Sequence, residues 1–263
     1  MSEIVDTSNT EFNEFMHMPI VALRGLTVFP GMNLHFDVGR KKSIAALKNA
    51  MNNDQRIFLV AQKDAGVNEP ELDDLYEVGV VCEIKQMIKI PNSPNLRVAV
   101  EGLCRGDLIT IIQPKPFLVG VINEIDEKIA PQTPENNAYA RLLKDEFENY
   151  ALKIAKVSNE VISKIISINE IGELADFICA NTFFDYQDKQ KILNEFDHQK
   201  RAEMLFTLLK NENLTLNIEA EIQEKVNKEV DKNQREYYLR EEMKVIADQL
   251  GDGENPIEEA DEY

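Results

Sequence analysis

Cysteine, histidine and long apolar runs are all scarce in this chain. Cys82, Cys104 and Cys179 stand far apart in apolar surroundings, odd in number among 263 residues. That argues against a disulfide framework or a metal knuckle and predicts buried structural thiols. The first fifteen residues, "MSEIVDTSNTEFNEF", are acidic and lack the apolar centre of a signal peptide, and no apolar run approaches the roughly 18 residues of a membrane span. A cytoplasmic protein without membrane contact is expected. His17, His35 and His198 have no second His or Cys at ligand spacing, so no metal site is predicted. The seven serines lie in no recognisable nucleophile context, and carboxylate pairs such as Asp73/Asp74 read as capping or solvated groups. None of the eleven glycines is followed by Lys, and neither G-x-G-x-x-G nor G-x-S-x-G occurs. The segment is therefore expected to be non-catalytic, without a cofactor and without ATP hydrolysis of its own.

Positive charge is also in short supply. Lys and Arg total 29 against 47 Asp and Glu, a net charge of -18. This is the wrong sign for gripping a phosphate backbone, so nucleic acid is not an expected partner. Residues 1–17 and 252–263 contain acidic side chains unopposed by Lys or Arg and carry ten of the eighteen excess charges. A disordered acidic leader (1–17) and tail (251–263) are predicted, with a mildly acidic body between them.

That body divides by periodicity. From Met18 to Glu127, "MPIVAL", "NLHFDV", "RIFLVAQ", "YEVGVVCEIKQMIKI", "LRVAVEG", "DLITIIQ" and "FLVGVINEI" are Val- and Ile-rich runs cut by Gly, Pro and Asn. About seven strands follow, interrupted by a single helix at "RKKSIAALKNAM", which suggests a small closed or half-closed barrel over 18–127. After Pro131 the period becomes helical. Thr133 with Pro134, then Ser158, Asp185 and Asp197, are placed to cap the helices of an all-α bundle over 128–215. The fold class is thus α+β.

Residues 216–250 contain neither Gly nor Pro, and Ile218, Ile222, Val226 and Val230, then Leu239, Met243, Ile246 and Leu250, mark a narrow apolar stripe. A long extended helix of about 50 Å is predicted, stopped at Gly251. Charge pairs such as Glu236 with Arg240 account for its polar face but not for the stripe. Contact with a neighbouring helix is expected at Tyr238, Leu239, Met243 and Ile246. A second surface is suggested by "LTVFPGMNLHF", where Phe29, Met32 and Leu34 surround a Pro-Gly turn. Either Phe29 plugs the barrel end, or these side chains offer weak, sequence-tolerant binding to apolar segments. Leu23 is assigned to the core.

The blocks "PIVALRGLTVFPGMNLHFDVGRKKSIAALKNAM", "RIFLVAQKD", "DDLYEVGVVCEI", "LRVAVEGLCRG", "DKQKILNEFDHQKRAEMLFTLLKNE" and "KNQREYYLREEMKVIADQLG" occur in this order between Met18 and Pro256. In this order they resemble the N-terminal region of bacterial Lon, the ATP-dependent serine protease. The resemblance implies a PUA-like β-barrel that binds substrate, a helical subdomain and a long helix. In the family this helix leads to an AAA+ ATPase using ATP and Mg, and to a Ser-Lys protease domain. It further implies a hexamer acting on unfolded, damaged or degron-bearing proteins. Gly25 departs from the acidic residue usual after the Leu-Arg pair. The alternatives are a free-standing LON-domain adaptor that binds ligands or degrons, and a structural coiled-coil protein with a globular head.

Overall fold

The computed structural model describes residues 15–154 and 157–250, apart from the side chains of Asp248 and Leu250. The predicted tail and its Gly251 stop, and the leader as far as residue 14, lie outside the described residues. The elements run β1 (Phe15–Leu23), β2 (Asn33–Val38), α1 (Lys41–Asn52), β3 (Arg56–Ala61), β4 (Val78–Lys89), β5 (Leu96–Gln113) and β6 (Val119–Glu124), then α2 (Pro134–Lys153), α3 (Asn159–Ser167), α4 (Ile171–Ala180), α5 (Tyr186–Asn194) and α6 (His198–Leu250).

Strands β5, β4, β3, β1 and β6 pair in that order, and β6 pairs back to β5, closing a five-stranded ring. Only β1 and β3 are parallel; α1 lies in the crossover between them. β2 adds to the outside of the ring along the first half of β5. Side chains of Ile20, Phe58, Val60, Val81, Leu108 and Ile122 fill the interior. The runs "LRVAVEG" and "DLITIIQ" are one 18-residue strand rather than two, so six strands form among the described residues where about seven are predicted. Gly102 and Gly106 between them are accommodated inside the ladder, and no Pro interrupts it. The first strand also starts at Phe15, ahead of Met18, which puts His17 in the ladder opposite Val121.

Three of the four predicted caps act through their side chains, whereas Asp185 stands at the start of α5 without a side-chain capping bond. Thr133 Oγ1 accepts the Asn136 N–H (3.1 Å) with Pro134 at the first position of α2, and Ser158 Oγ accepts the Val161 N–H. Asp197 Oδ1 accepts the N–H groups of Gln199 and Lys200 at the start of α6, and these bonds, with Lys200 foremost, hold its carboxyl below the usual range. Leu143, Phe147 and Tyr150 of α2, Ile165 of α3 and Leu174 and Ile178 of α4 are buried. α6 runs unbroken for 53 residues, so the long helix begins at His198 and not near residue 216. No Gly or Pro occurs between those two points to break it. The chain divides into two compact units between Lys210 and Asn211, so the barrel and α2 to α5 share one unit.

Candidate binding surfaces

Phe29, Pro30, Gly31 and Met32 make a turn in which Met32 N–H donates to Phe29 O (3.2 Å), with Gly31 at φ 69°. Proline at the second and glycine at the third position is the composition of a type II turn. The turn is fastened to the barrel: Gly31 N–H donates to Gly102 O and Gly102 N–H to Met32 O, both at 2.9 Å. A Cβ on residue 102 would lie 2.3 Å from Phe29 O, so only glycine allows this approach.

The fastening decides what the turn displays. Phe29 is 0 % exposed and belongs to the core, so it is not available to a partner. Leu23 is buried as well. Met32 and Leu34 are half-buried. Met32, Pro30 and Asn33 form one wall of a cleft of about 430 Å³, whose other wall is Val161 and Lys164 of α3 with Phe177 of α4 and Asn181 just after it. The Lys164 ammonium sits 4.5 Å from the centre of the Phe177 ring. Leu34 lies one step further along β2.

The cleft spans the barrel and the helices, so its shape depends on how the two are joined. Thr27 Oγ1 donates to Tyr186 O (2.9 Å), and Gln190 Nε2 donates to Val78 O (2.8 Å). The principal link is ionic. Arg105 of β5 donates from both terminal nitrogens to Asp176 of α4, 2.6 Å each, and from Nε to Leu193 O. Arg201 of α6 reaches the same Asp176 (3.3 Å) and donates to Glu127 at 2.5 Å, while Arg105 also meets Glu127 at 3.2 Å. Both arginine side chains are wholly enclosed. Burial opposes the Arg105 charge, but Asp176 and then Glu127 outweigh it and hold its pKa above the ordinary value. Alongside, His198 Nδ1 lies 2.9 Å from Glu170 Oε1. Burial works against ionising Glu170, yet the N–H groups of Glu173 and Gly172 and then His198 keep its pKa lowered. Asp176 immediately precedes Phe177, so this cluster sets the position of one cleft wall.

Sequence reasoning passed over Arg105. It alternates with Cys104, Gly106 and Leu108, whose side pairs with the barrel interior, so period two directs it outward. Outward here means under the helices instead of into water.

The three thiols are unpaired; Cys82 and Cys179 are buried and Cys104 is half-buried. Burial pushes all three pKa values up, that of Cys104 to about 11. They carry no reactive-thiolate character. No cluster of three or more His, Cys, Asp or Glu placed for a metal occurs among the described residues. No helix among them is long and apolar enough to cross a membrane.

Within the second unit, Ile218, Ile222, Val226, Val230, Leu239, Met243 and Ile246 are between 47 % and 60 % exposed. At about 100° per residue, Leu239, Met243 and Ile246 fall within about 60° of one another, a seam of the width that two packed helices share. Steps of four from Ile218 to Val230 drift by about 120° instead. Tyr238 stands about 100° off the Leu239 direction, next to Val245, so the four predicted contact residues do not share one seam.

The family model described as the ATP-dependent protease La (LON) substrate-binding domain matches residues 17–211. The Lon protease of Clostridium acetobutylicum is 41 % identical over 246 residues, 94 % of this chain and 32 % of the relative. That of Clostridioides difficile is 41 % identical over 250 residues, again 94 % and 32 %. The chain thus spans about a third of the length of the curated relatives it matches. In fold it is similar to the N-terminal domain of Mycobacterium avium complex Lon protease, with a TM-score of 0.63 at 18 % identity, covering 74 % of this chain and 98 % of that one. It is also similar to a Lon N-terminal domain protein from Xanthomonas campestris, with a TM-score of 0.53 at 13 % identity, covering 73 % and 98 %. With the match extending over most of the barrel and helical residues, the chain belongs to the Lon substrate-binding domain family.

Proposed function

We propose that this chain recognises unfolded, damaged or degron-bearing polypeptides for a cytoplasmic Lon-type ATP-dependent serine protease, and that α6 helps hold copies of it together in a hexamer. The observation that carries this reading is the substrate-binding family match over residues 17–211. On this reading recognition falls to half-buried Met32, which lines the cleft opposite Phe177 and Val161, and to half-buried Leu34 on β2 beyond it. Each such contact is weak, and several copies held together raise the effective concentration of sites. No cofactor is assigned to this segment; ATP and Mg would act in the family's ATPase module.

Met32→Ser is expected to weaken binding of a chemically unfolded reporter protein about fivefold, as removal of part of one apolar contact implies. Fluorescence anisotropy of the labelled reporter measures this, and unchanged affinity in a folded variant would remove Met32 from the surface. For assembly, Met243→Asp with Ile246→Asp puts two charges into the Leu239 seam. Sedimentation velocity is expected to show loss of self-association; identical sedimentation of variant and parent would count against α6 as the contact.

A further inference from the structure

β2 stands at the end of the strand order, paired on one side only. The two bonds between Gly102 and the turn fix the phase of its ladder. With Met32 bonded to residue 102, alternation turns the backbone groups of Leu34, Phe36 and Val38 toward β5, and those of Asn33, His35 and Asp37 away from it. These three residues are exposed, and their N–H and C=O groups meet no other strand, loop or helix among the described residues.

Open edges are commonly blunted by charge, proline or a covering element. Among the described residues none of these acts here. β2 contains no proline, and its one carboxylate, Asp37, is neutralised by a two-pronged bond to Arg97 of β5 at 2.7 and 2.9 Å.

A cleft lies at each end of this edge. At the Asn33 end is the Met32–Phe177 cleft. At the Val38 end is a second one of about 410 Å³, lined by Leu23, Leu26, Phe36 and Val38 with the cationic Arg24 and Arg40. Asp37, already paired with Arg97, is the only carboxylate lining it. β2, whose two ends line these clefts, is itself about 20 Å long, the reach of an extended segment of similar length.

We propose that β2 takes up an extended polypeptide segment as an added strand, with an apolar residue of the segment in the Met32–Phe177 cleft and an acidic one at the Arg24–Arg40 end. This rests on the substrate-binding reading above and specifies how it is achieved. Backbone-to-backbone bonding is indifferent to side-chain identity, which gives the tolerance needed for unfolded chains, while the two clefts supply preference.

The test uses an unstructured peptide of about ten residues, apolar with Asp at one end, and two versions N-methylated at alternate amides in opposite phase. His35→Pro is the matching change in the protein, since proline is tolerated on a strand whose N–H faces outward. Binding is expected to fall tenfold or more in His35→Pro, to vanish for one N-methylated phase and persist for the other, and to slow amide exchange at Asn33, His35 and Asp37. If His35→Pro does not fold, the two N-methylated peptides decide alone. Equal binding of both phases, with Met32→Ser still weaker, would overturn strand addition and leave the substrate-binding reading intact. Absence of any unfolded-chain binding by the parent protein would sink both. Protection of the three amides that rises with protein concentration in the absence of peptide would identify a second copy as the occupant and overturn the proposal.

Discussion

Asp176→Asn is expected to destabilise the barrel-and-helix unit by about 3 to 5 kcal/mol, the usual cost of removing one partner from a buried ion pair. The substitution keeps the shape of the side chain, so packing is unchanged. What changes is charge: Arg105 and Arg201, both fully enclosed, are left facing the single carboxylate of Glu127. Two guanidinium groups that have given up water cannot recover it without separating α4 from β5. Urea unfolding followed by far-ultraviolet circular dichroism measures the loss, the chain having no tryptophan to serve as a fluorescent probe. A change below about 1 kcal/mol would show that water reaches the cluster and that the ion pairs behave as surface pairs.

Phe29→Ala is expected to cost a similar amount, about 3 to 5 kcal/mol, as for other buried aromatic side chains cut back to alanine. Its ring is enclosed, and the turn that carries it cannot slide to fill the space, being bonded on both sides to Gly102. Binding of an unfolded reporter is expected to fall only as the folded fraction falls. Measured below the unfolding transition, affinity per folded molecule stays at the parent value, and a selective loss there would return Phe29 to the binding surface. Met32→Ser is the contrasting case, since a half-buried side chain contributes less to the fold than to whatever covers it.

How far the chain could be read follows from which interactions are local. Strands of Val and Ile, the inserted helix, and the caps at Thr133 and Ser158 depend on neighbours a few residues away, and these are legible. The Lon resemblance rested on blocks of the same kind. Phe29 was ambiguous because a Pro-Gly turn looks the same whether it projects or folds back, and Gly102, which folds it back, is 73 positions away. Arg105 was missed for a related reason: its partners Asp176 and Leu193 lie 71 and 88 positions on, and strand alternation alone cannot tell solvent from a covering helix. The start of α6 was set too late by separating the helix capped at Asp197 from the long one, although no residue between them breaks a helix. Leu239, Met243 and Ile246 share one side of α6 by their spacing, whereas Tyr238 stands on another side of the helix.

The closed ring also governs the order of events when the chain is made. β1 is synthesised first, yet its antiparallel partner β6 comes about a hundred residues later, and its parallel partner β3 arrives only after β2 and α1. During synthesis from the N-terminus, β1 therefore has β3 on one side but waits without β6 on the other until residue 124 has emerged. Contacts so distant in sequence are slow to form because loop closure comes before any reward from pairing. Local hairpins such as β4 with β5 can form early, but the ring closes last, and it closes with its oldest strand.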